Sequence, residues 1–544
     1  MARRSSPPPR PPRSPNCRLD ASRAHRRPGL GDTEQGSRLP WQLHLAWLAL
    51  AGAPAWAQPD VARPPNVVIL YADDMGYGDL AAQNPDSKIP TPNLDRLVRE
   101  GMRFTDAHSS SGICTPSRYA LLTGQHHWRR FHEIVGSFGA SVIPRQRLTM
   151  PAMFARHGYH TACIGKWHLG WDWRAIMREG AHETVVDGKK RGYPADAFDW
   201  SKPIPDGPLA HGFDHYFGDD VPNFPPYAWI EDDRVLTAPT LPFRADPTPG
   251  EGVAECRPGP MVEGWKLDDV MPRLTDAAVE WLRGRKDSAS PFFLYFPWTS
   301  PHAPIVPSAA FAGKSKAGPY GDYVVESDTC AGRILDALDE LDLAGDTIVV
   351  FTADNGPEHY AHERVRRFEH RSMGPLRGLK RDVWEGGHRV PFVVRWPGKV
   401  HAGSVCDALV GQVDLMATFA AVLGHALPDD AAEDSFDCLA LWRGEVAQVR
   451  EFLVHNTYAD RWAIRRGRWV LLEPADGTHT RVPPWFADAE GYEPLAGKTA
   501  LFDLTEDLGQ RRDVVAEHAE VARDLHELLQ RVRQQGHSAP RLAK

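Results

Sequence analysis

Cysteine is scarce in this 544-residue chain, with seven residues at irregular spacing and no C-x-x-C pair. That excludes a small disulfide-framed domain, in which bridges stand in for a core. Positive charge is also short: 63 Lys and Arg face 71 Asp and Glu, a formal net of −8. Residues 1–38 hold nine arginines against Asp20, Asp32 and Glu34, and residues 39–57 are uncharged. Setting both aside leaves 54 basic and 68 acidic side chains, a net of −14. Such a surface does not recruit nucleic acid, and an anionic substrate must be drawn in by local cations. No apolar run is long enough to make a comfortable membrane span, and no internal repeat is visible.

What is present begins with a basic, Pro-rich stretch over residues 1–38 that lacks apolar periodicity and is expected to be disordered. "LPWQLHLAWLALAGAPAWAQ" follows. It ends in a small-residue pattern and reads as a secretory signal cleaved after Ala57, with an uncleaved anchor as the alternative. The expectation is export, to a periplasm or outside the cell. Cys17 leaves with that segment, and Cys163, inside an apolar run, reads as core. Three units are expected: 1–57 as disordered stretch and signal, 58–445 as an α/β catalytic domain, and 446–544 as a small α+β domain.

"NVVILYADDMG", "HTACIGKWHLG", "PFFLYFPWTSPHAP" and "DTIVVFTADNG" share one design, an apolar run of strand length closed by polar residues. Continuous runs, as opposed to alternating ones, suit strands buried on both faces of a mostly parallel sheet. Helices lie between them. "TPNLDRLVREG" places Thr91 as N-cap, Pro92 in the first turn, Leu94, Leu97 and Val98 on one face, and Gly101 as stop. The fold class predicted is α/β, a mostly parallel, doubly wound sheet flanked by helices, whose ligands bind beyond the strands' carboxyl ends. Residues 171–266, rich in Trp, Tyr, Pro and Gly, read as loops over that edge. After residue 445, alternating segments and an amphipathic terminal stretch predict a small antiparallel sheet with a helix.

The four strand ends carry Asp73 and Asp74, Lys166 and His168, His302, and Asp354 and Asn355. An oxygen-only set of Asp73, Asp74, Asp354 and Asn355 suits Ca²⁺ or Mg²⁺ over zinc, and several carboxylates suit calcium best. A lone Asp-Asp pair is otherwise a turn or cap feature. Arg118, Lys166, His168, His302 and Lys380 add cations and proton donors, a pocket for a compact tetrahedral anion with a leaving oxygen. Cys114, in "GICTPSRYALLTG", has no second Cys nearby and no His at metal-ligand spacing, so taken alone it reads as a small buried packing residue.

Taken together these segments resemble the type I sulfatases of the alkaline phosphatase superfamily. The resemblance rests on C-x-P-x-R at Cys114–Arg118 and, in order, on "ADDMGYGD", "GKWHLG", "SPHAP", "TADNG" and "GLK…WEGG". It implies a sulfuric ester hydrolase acting on aryl or carbohydrate sulfates. It further implies that a dedicated modifying enzyme oxidises Cys114 to Cα-formylglycine. One Ca²⁺ would then be held by Asp73, Asp74, Asp354 and Asn355 together with the hydrate at position 114. By the same resemblance Arg118 and His168 hold and deprotonate the hydrate, Lys166 and Lys380 bind sulfate oxygens, and His302 protonates the leaving alcohol with help from Lys380. Gln125, after "LLTG", departs from the Arg found in many members.

Two other readings compete. A phosphate or phosphonate ester hydrolase of the same superfamily would be favoured by a second oxygen-rich or His-rich metal site, and no additional D-x-H cluster of that kind is expected. A sulfated-glycan-binding protein with a fossil site is disfavoured, because every catalytic position is filled.

Overall fold

A computed structural model describes residues 63–187, 190–243, 251–252, 255–495 and 497–540. The signal and its cleavage point lie outside the described residues. All seven residues of strand β1 (Asn66–Ala72) are buried. They run through the middle of a ten-stranded sheet with apolar side chains on both faces.

The remaining strands of this sheet are β2 (Met102–Phe104), β3 (His160–Ile164), β4 (His215–Gly218), β5 (Ile230–Glu231), β6 (Arg234–Val235), β7 (Phe292–Pro297), β8 (Thr347–Ala353), β9 (Phe392–Arg395) and β10 (Ser404–Cys406). Their spatial order is β10-β2-β9-β8-β1-β7-β3-β4-β5-β6. The central five, β8, β1, β7, β3 and β4, are parallel. Antiparallel pairs flank them on both sides. The sheet is therefore mixed at its margins and parallel at the centre, where the four apolar runs lie. Val67 pairs with Phe293 on one side and Ile348 on the other. Asn66 joins the strand starts by accepting from Phe292 N at 3.1 Å and donating to Thr347 Oγ1 at 3.4 Å.

Side chains alternate across a strand, so β1 feeds two cores. Val67, Ile69 and Tyr71 join Phe154, Phe293, Val350 and Phe419. Val68, Leu70 and Ala72 join Leu94, Leu97, Leu274 and Ile334 on the other face. Helices α1 (Pro92–Glu100), α3 (Val270–Arg283) and α4 (Gly318–Glu340) cover the second face. Helices α2 (Cys114–Thr123) and α5 (Leu415–Leu423) cover the first. Each fully buried aliphatic side chain contributes ~1.5–3 kcal/mol, and helices on both faces make the doubly wound plan.

Helix α1 differs from its reading in one respect. Thr91 stands at the N-cap position but its hydroxyl makes no capping bond. Asp328 of α4 caps instead, accepting from Asn93 N at 3.1 Å and Leu94 N at 2.8 Å. A carboxylate at a helix N-terminus also meets the positive end of the dipole.

The C-terminal strands β11 (Phe452–Asn456), β12 (Trp462–Arg466), β13 (Trp469–Glu473) and β14 (Ala500–Asp503) form an antiparallel sheet in sequential order. One face packs Ile464, Leu471 and Leu501 on Leu525 and Leu529 of helix α6 (Ala519–Gln534). The other packs Ala463, Val470 and Phe502 on Val383 and Trp384. This second contact backs the loop that carries Lys380. Among the described residues, no helix is long and apolar enough to cross a membrane.

Candidate active site

Cys114 opens helix α2 behind Ile113, with helical residues running to Thr123 and Gly124 in the left-handed region (φ 64°) as stop. Residues at i and i+4 share a helix face, so Cys114 and Arg118 point the same way. Pro116 sits in the first turn, where its missing N–H has no partner to lose. A cleft of about 650 Å³ is lined by Cys114 with His168, His302 and Lys380.

The strand ends meet here. Arg118 donates to Asp354 Oδ2 from Nη2 at 2.8 Å and from Nε at 3.2 Å, and to Lys166 O at 3.1 Å. Lys166 Nζ lies 2.5 Å from Asp73 Oδ2. Lys380 Nζ lies 2.8 Å from Asp74 Oδ2, and His302 Nε2 is 3.7 Å from the same oxygen. Asn355 Nδ2 donates to Asp74 Oδ1 at 2.7 Å. Asp74 N donates to Asp354 Oδ1 at 3.1 Å, and Asp74 takes φ 65°. His168 and Arg381 also occupy the left-handed region, at φ 52° and 78°. Strain of this kind persists only where surroundings over-determine it, as at binding sites.

Three buried carboxylates (Asp73, Asp74, Asp354) thus face three buried cations (Arg118, Lys166, Lys380). Burial alone would raise Asp73, but Lys166, His302 and Arg118 hold it far below the usual carboxylate range. Asp354 is pushed up by burial and by the Asp73 charge. Burial works against the Lys380 ammonium, yet Asp74 holds its pKa above the ordinary lysine value. Burial, reinforced by Lys166, lowers His168 to about 3. Burial, reinforced by Lys380, lowers His302 to about 4.

Asp73 Oδ1 and Asn355 Oδ1 are buried with no hydrogen-bond partner. Asp73, Cys114 and Asp354 each offer a ligand atom within 4.8 Å of the others. Two orphaned oxygens within an oxygen-dominated set suit a hard divalent cation such as Ca²⁺.

All the residues singled out from the sequence come together, and the structure adds others. Glu358 is buried and accepts from Arg381 at 2.6 Å, with Lys380 Nζ at 3.7 Å. Asp220 Oδ1 accepts from His168 N at 3.2 Å. Asn223, Phe224, Arg257 and Tyr458 line the cleft. Glu358 lies four residues after Asp354 and was open to inspection there. Tyr458 comes from the C-terminal sheet region and leaves no local signal.

Comparison with known proteins gives one answer at every level. The sulfatase family model matches residues 65–425. An N-acetylgalactosamine-6-O-sulfatase of Bacteroides thetaiotaomicron is 32% identical over 496 residues, covering 87% of this chain and 94% of that protein. Arylsulfatase A of Bos taurus is 31% identical, covering 91% and 90%. A solved structure from work on glycosaminoglycan metabolism by Bacteroides thetaiotaomicron superposes with a TM-score of 0.72 at 31% identity, covering 87% of this chain and 100% of that one. With matches this extensive, spanning the sheet whose strand ends build the cleft, the chain belongs to the sulfatase family, as a type I sulfatase of the alkaline phosphatase superfamily and a sulfuric ester hydrolase.

Proposed function

We propose that this sulfatase hydrolyses a carbohydrate sulfate monoester, using a formylglycine made from Cys114 by a modifying enzyme and one Ca²⁺ held by Asp73, Asp74, Asp354 and Asn355. The observation that carries the reading is the burial of Cys114 at a helix N-terminus among three carboxylates and three cations. A packing cysteine needs none of those neighbours. Export, inferred from the leader, supplies the compartment in which extracellular glycans are met.

When present, the two groups supply Lewis-acid polarisation and a geminal diol, one hydroxyl to attack sulfur and the other to let sulfate leave. His168 is arranged as a base. Its Nε2–H donates to Val135 O at 2.9 Å, and Nδ1 is buried without a partner. The neutral ring therefore offers a lone pair at Nδ1. Arg118, Lys166 and Lys380 balance the three carboxylates, so a divalent ion leaves the site net positive and ready for an anionic ester. His302 donates Nδ1–H to Ala303 O at 2.5 Å, leaving Nε2 toward Asp74. It can act as acid only when Nε2 is also protonated, a state the negative charge of a bound sulfate ester favours. Lys380 carries its proton throughout and assists.

Asn223, Glu255, Arg257, Arg381 and Tyr458 give the cleft wall hydrogen-bonding groups, and Phe224 gives it an aromatic face. A sugar ring uses both. The relatives named as N-acetylgalactosamine sulfatases point the same way. The test is mass spectrometry of the Cys114 peptide alongside turnover of 6-sulfated N-acetylgalactosamine and of nitrophenyl sulfate. Formylglycine with preferential turnover of the sugar is expected. Fully active enzyme holding only unmodified cysteine would end the proposal, and activity confined to the aryl ester would move the substrate class.

A further inference from the structure

Away from the cleft, a buried group of three histidines joins the C-terminal sheet to the catalytic layer. His108 belongs to a two-residue strand, Ala107–His108. His388 ends the short helix Glu385–His388, and His455 lies in β11. All three are at most 1% exposed. Asp106-Ala107-His108 is a D-x-H spacing, which corrects the expectation of no further D-x-H cluster in the chain.

The hydrogen bonds fix where the protons sit. His388 Nε2 lies 3.2 Å from Val383 O. A carbonyl only accepts, so Nε2 carries the proton and Nδ1 of the neutral ring presents its lone pair. His108 Nε2 lies 2.8 Å from Asp106 Oδ1. Arg389 Nη1 lies 3.4 Å from the same oxygen and Arg465 Nη2 lies 2.8 Å from Asp106 Oδ2, so the carboxylate is paired as an anion. That carboxylate also only accepts, so the neutral His108 ring likewise presents a lone pair at Nδ1. The two Nδ1 atoms are 3.0 Å apart. Two lone pairs at that distance repel unless a proton or a metal ion lies between them.

Three observations favour the metal. A carbonyl on one ring and a carboxylate on the other are the outer partners that metal-bound histidines use to fix their tautomers. His455 stacks on His388 with ring centroids 3.6 Å apart, and neither of its nitrogens has a hydrogen-bond partner. Leaving such buried atoms unpaired costs ~1–3 kcal/mol each, a cost that ligation would remove. One ligand nitrogen from each of the three rings lies within 4.8 Å of the other two. Neutral imidazole is the form that ligates.

We propose that His108, His388 and His455 form a second metal centre, one for an imidazole-preferring divalent ion of the zinc class with a structural role. Ligands at ~2.0–2.1 Å around a tetrahedral ion stand slightly farther apart than the two Nδ1 atoms do, so the pair opens a little. Ligation requires the His455 ring to rotate out of its stack on His388, because two parallel rings cannot both aim in-plane lone pairs at one ion. Asp106 and Glu385 are matched by Arg389 and Arg465, so these four charges cancel around the centre. His108 leads through residues 109–113 to Cys114, and His388 ends the short helix that follows the Lys380 loop. Filling the centre therefore fastens both sides of the cleft to the C-terminal sheet without touching substrate.

The test uses the whole purified enzyme, saturated with calcium, incubated with Zn²⁺ and freed of loosely held ions. Metal analysis should find one zinc per chain. Co²⁺ in its place should give the visible absorption of a low-symmetry nitrogen-ligated site, and zinc should raise the melting temperature. His455→Gln and His388→Gln should each abolish the cobalt spectrum and the zinc-dependent stabilisation while calcium content stays unchanged. Folded wild-type enzyme that takes up no stoichiometric zinc and shows no zinc-dependent rise in melting temperature overturns the proposal. The bridging group is then a proton, and His108 is an imidazolium. Zinc that both variants retain overturns it equally, by placing the ion elsewhere.

Discussion

Lys166 Nζ stands 2.5 Å from Asp73 Oδ2, with both side chains sealed from solvent. Removing one partner of a buried pair leaves the other charge uncompensated, at a cost of ~3–5 kcal/mol. Lys166→Ala should therefore lose about that much stability in chelator, where Asp73 and Asp354 face each other with less opposing charge. Added calcium should recover part of the loss by taking Lys166's place as counter-charge. Urea unfolding with and without calcium checks this. Equal losses in both conditions would mean that Asp73 does not hold the ion.

Cys114→Ser should keep the fold and abolish turnover. The hydroxyl can accept a sulfuryl group but has no second hydroxyl on its carbon to drive sulfate out. Intact-protein mass spectrometry after incubation with substrate should show a trapped sulfate ester. Multiple turnover by the serine variant would remove the aldehyde from the mechanism.

Asp354→Ala should lose calcium and activity together. It should also destabilise the chain, because Arg118 is wholly buried and loses its two-point partner. Calcium content by metal analysis, read beside the melting temperature, separates the two effects. Retained calcium in an inactive, destabilised variant would limit Asp354 to holding Arg118.

Leaving-group dependence distinguishes the proton donor. General acid catalysis is worth ~10²–10⁴-fold, so His302→Ala should lose that much on a sugar sulfate and clearly less on nitrophenyl sulfate. Lys166→Ala should depress both by similar factors. A loss from His302→Ala that is independent of leaving-group pKa would reassign His302 to sulfate binding and leave Lys380 as the acid.

Acid should destabilise the fold in two windows. Burial lowers His126 from 6.5 to about 4. Its contribution is present in full above pH 6.5 and lost as pH falls toward 4, because the unfolded chain takes the proton first. At about 1.4 kcal/mol per pH unit, the loss is roughly 3 kcal/mol. Asp434 lies lower. Burial opposes its charge, but His126 and Arg129 bring it from 3.8 to about 2, so its share is lost below pH 4. His126→Gln should flatten the fall in urea-unfolding free energy between pH 6.5 and 4, relative to wild type. Parallel wild-type and variant curves would contradict the assignment.

The central strands were legible because a strand buried on both faces has to be mainly apolar, as β1, β7 and β8 are. Their polar ends were legible for a related reason. In a parallel sheet every carboxyl end reaches one edge, so Asp73, Lys166, His302 and Asp354 could be expected to meet there before any distance was known. Cys114 and Arg118 were tied by the C-x-P-x-R resemblance, and the helix that puts them on one face came only with the structure. The antiparallel margins escaped, since β2 and β9 are short and take their direction from the neighbours they pair with.

What only the tertiary structure decided lies where the partner comes from far along the chain. The cap on α1 is Asp328 and not Thr91, because a carboxylate from α4 reaches the free amides first. Which nitrogen of His168 is free depends on a carbonyl at Val135. Tyr458 enters the cleft, and His455 comes to rest on His388, only because the C-terminal sheet lays one face against Val383 and Trp384. Local sequence dictates period, strand length and helix face, through sterics and burial that act over a few residues. Proton positions, ion pairing and orphaned ligand atoms depend on groups brought together by packing, and no local pattern records them.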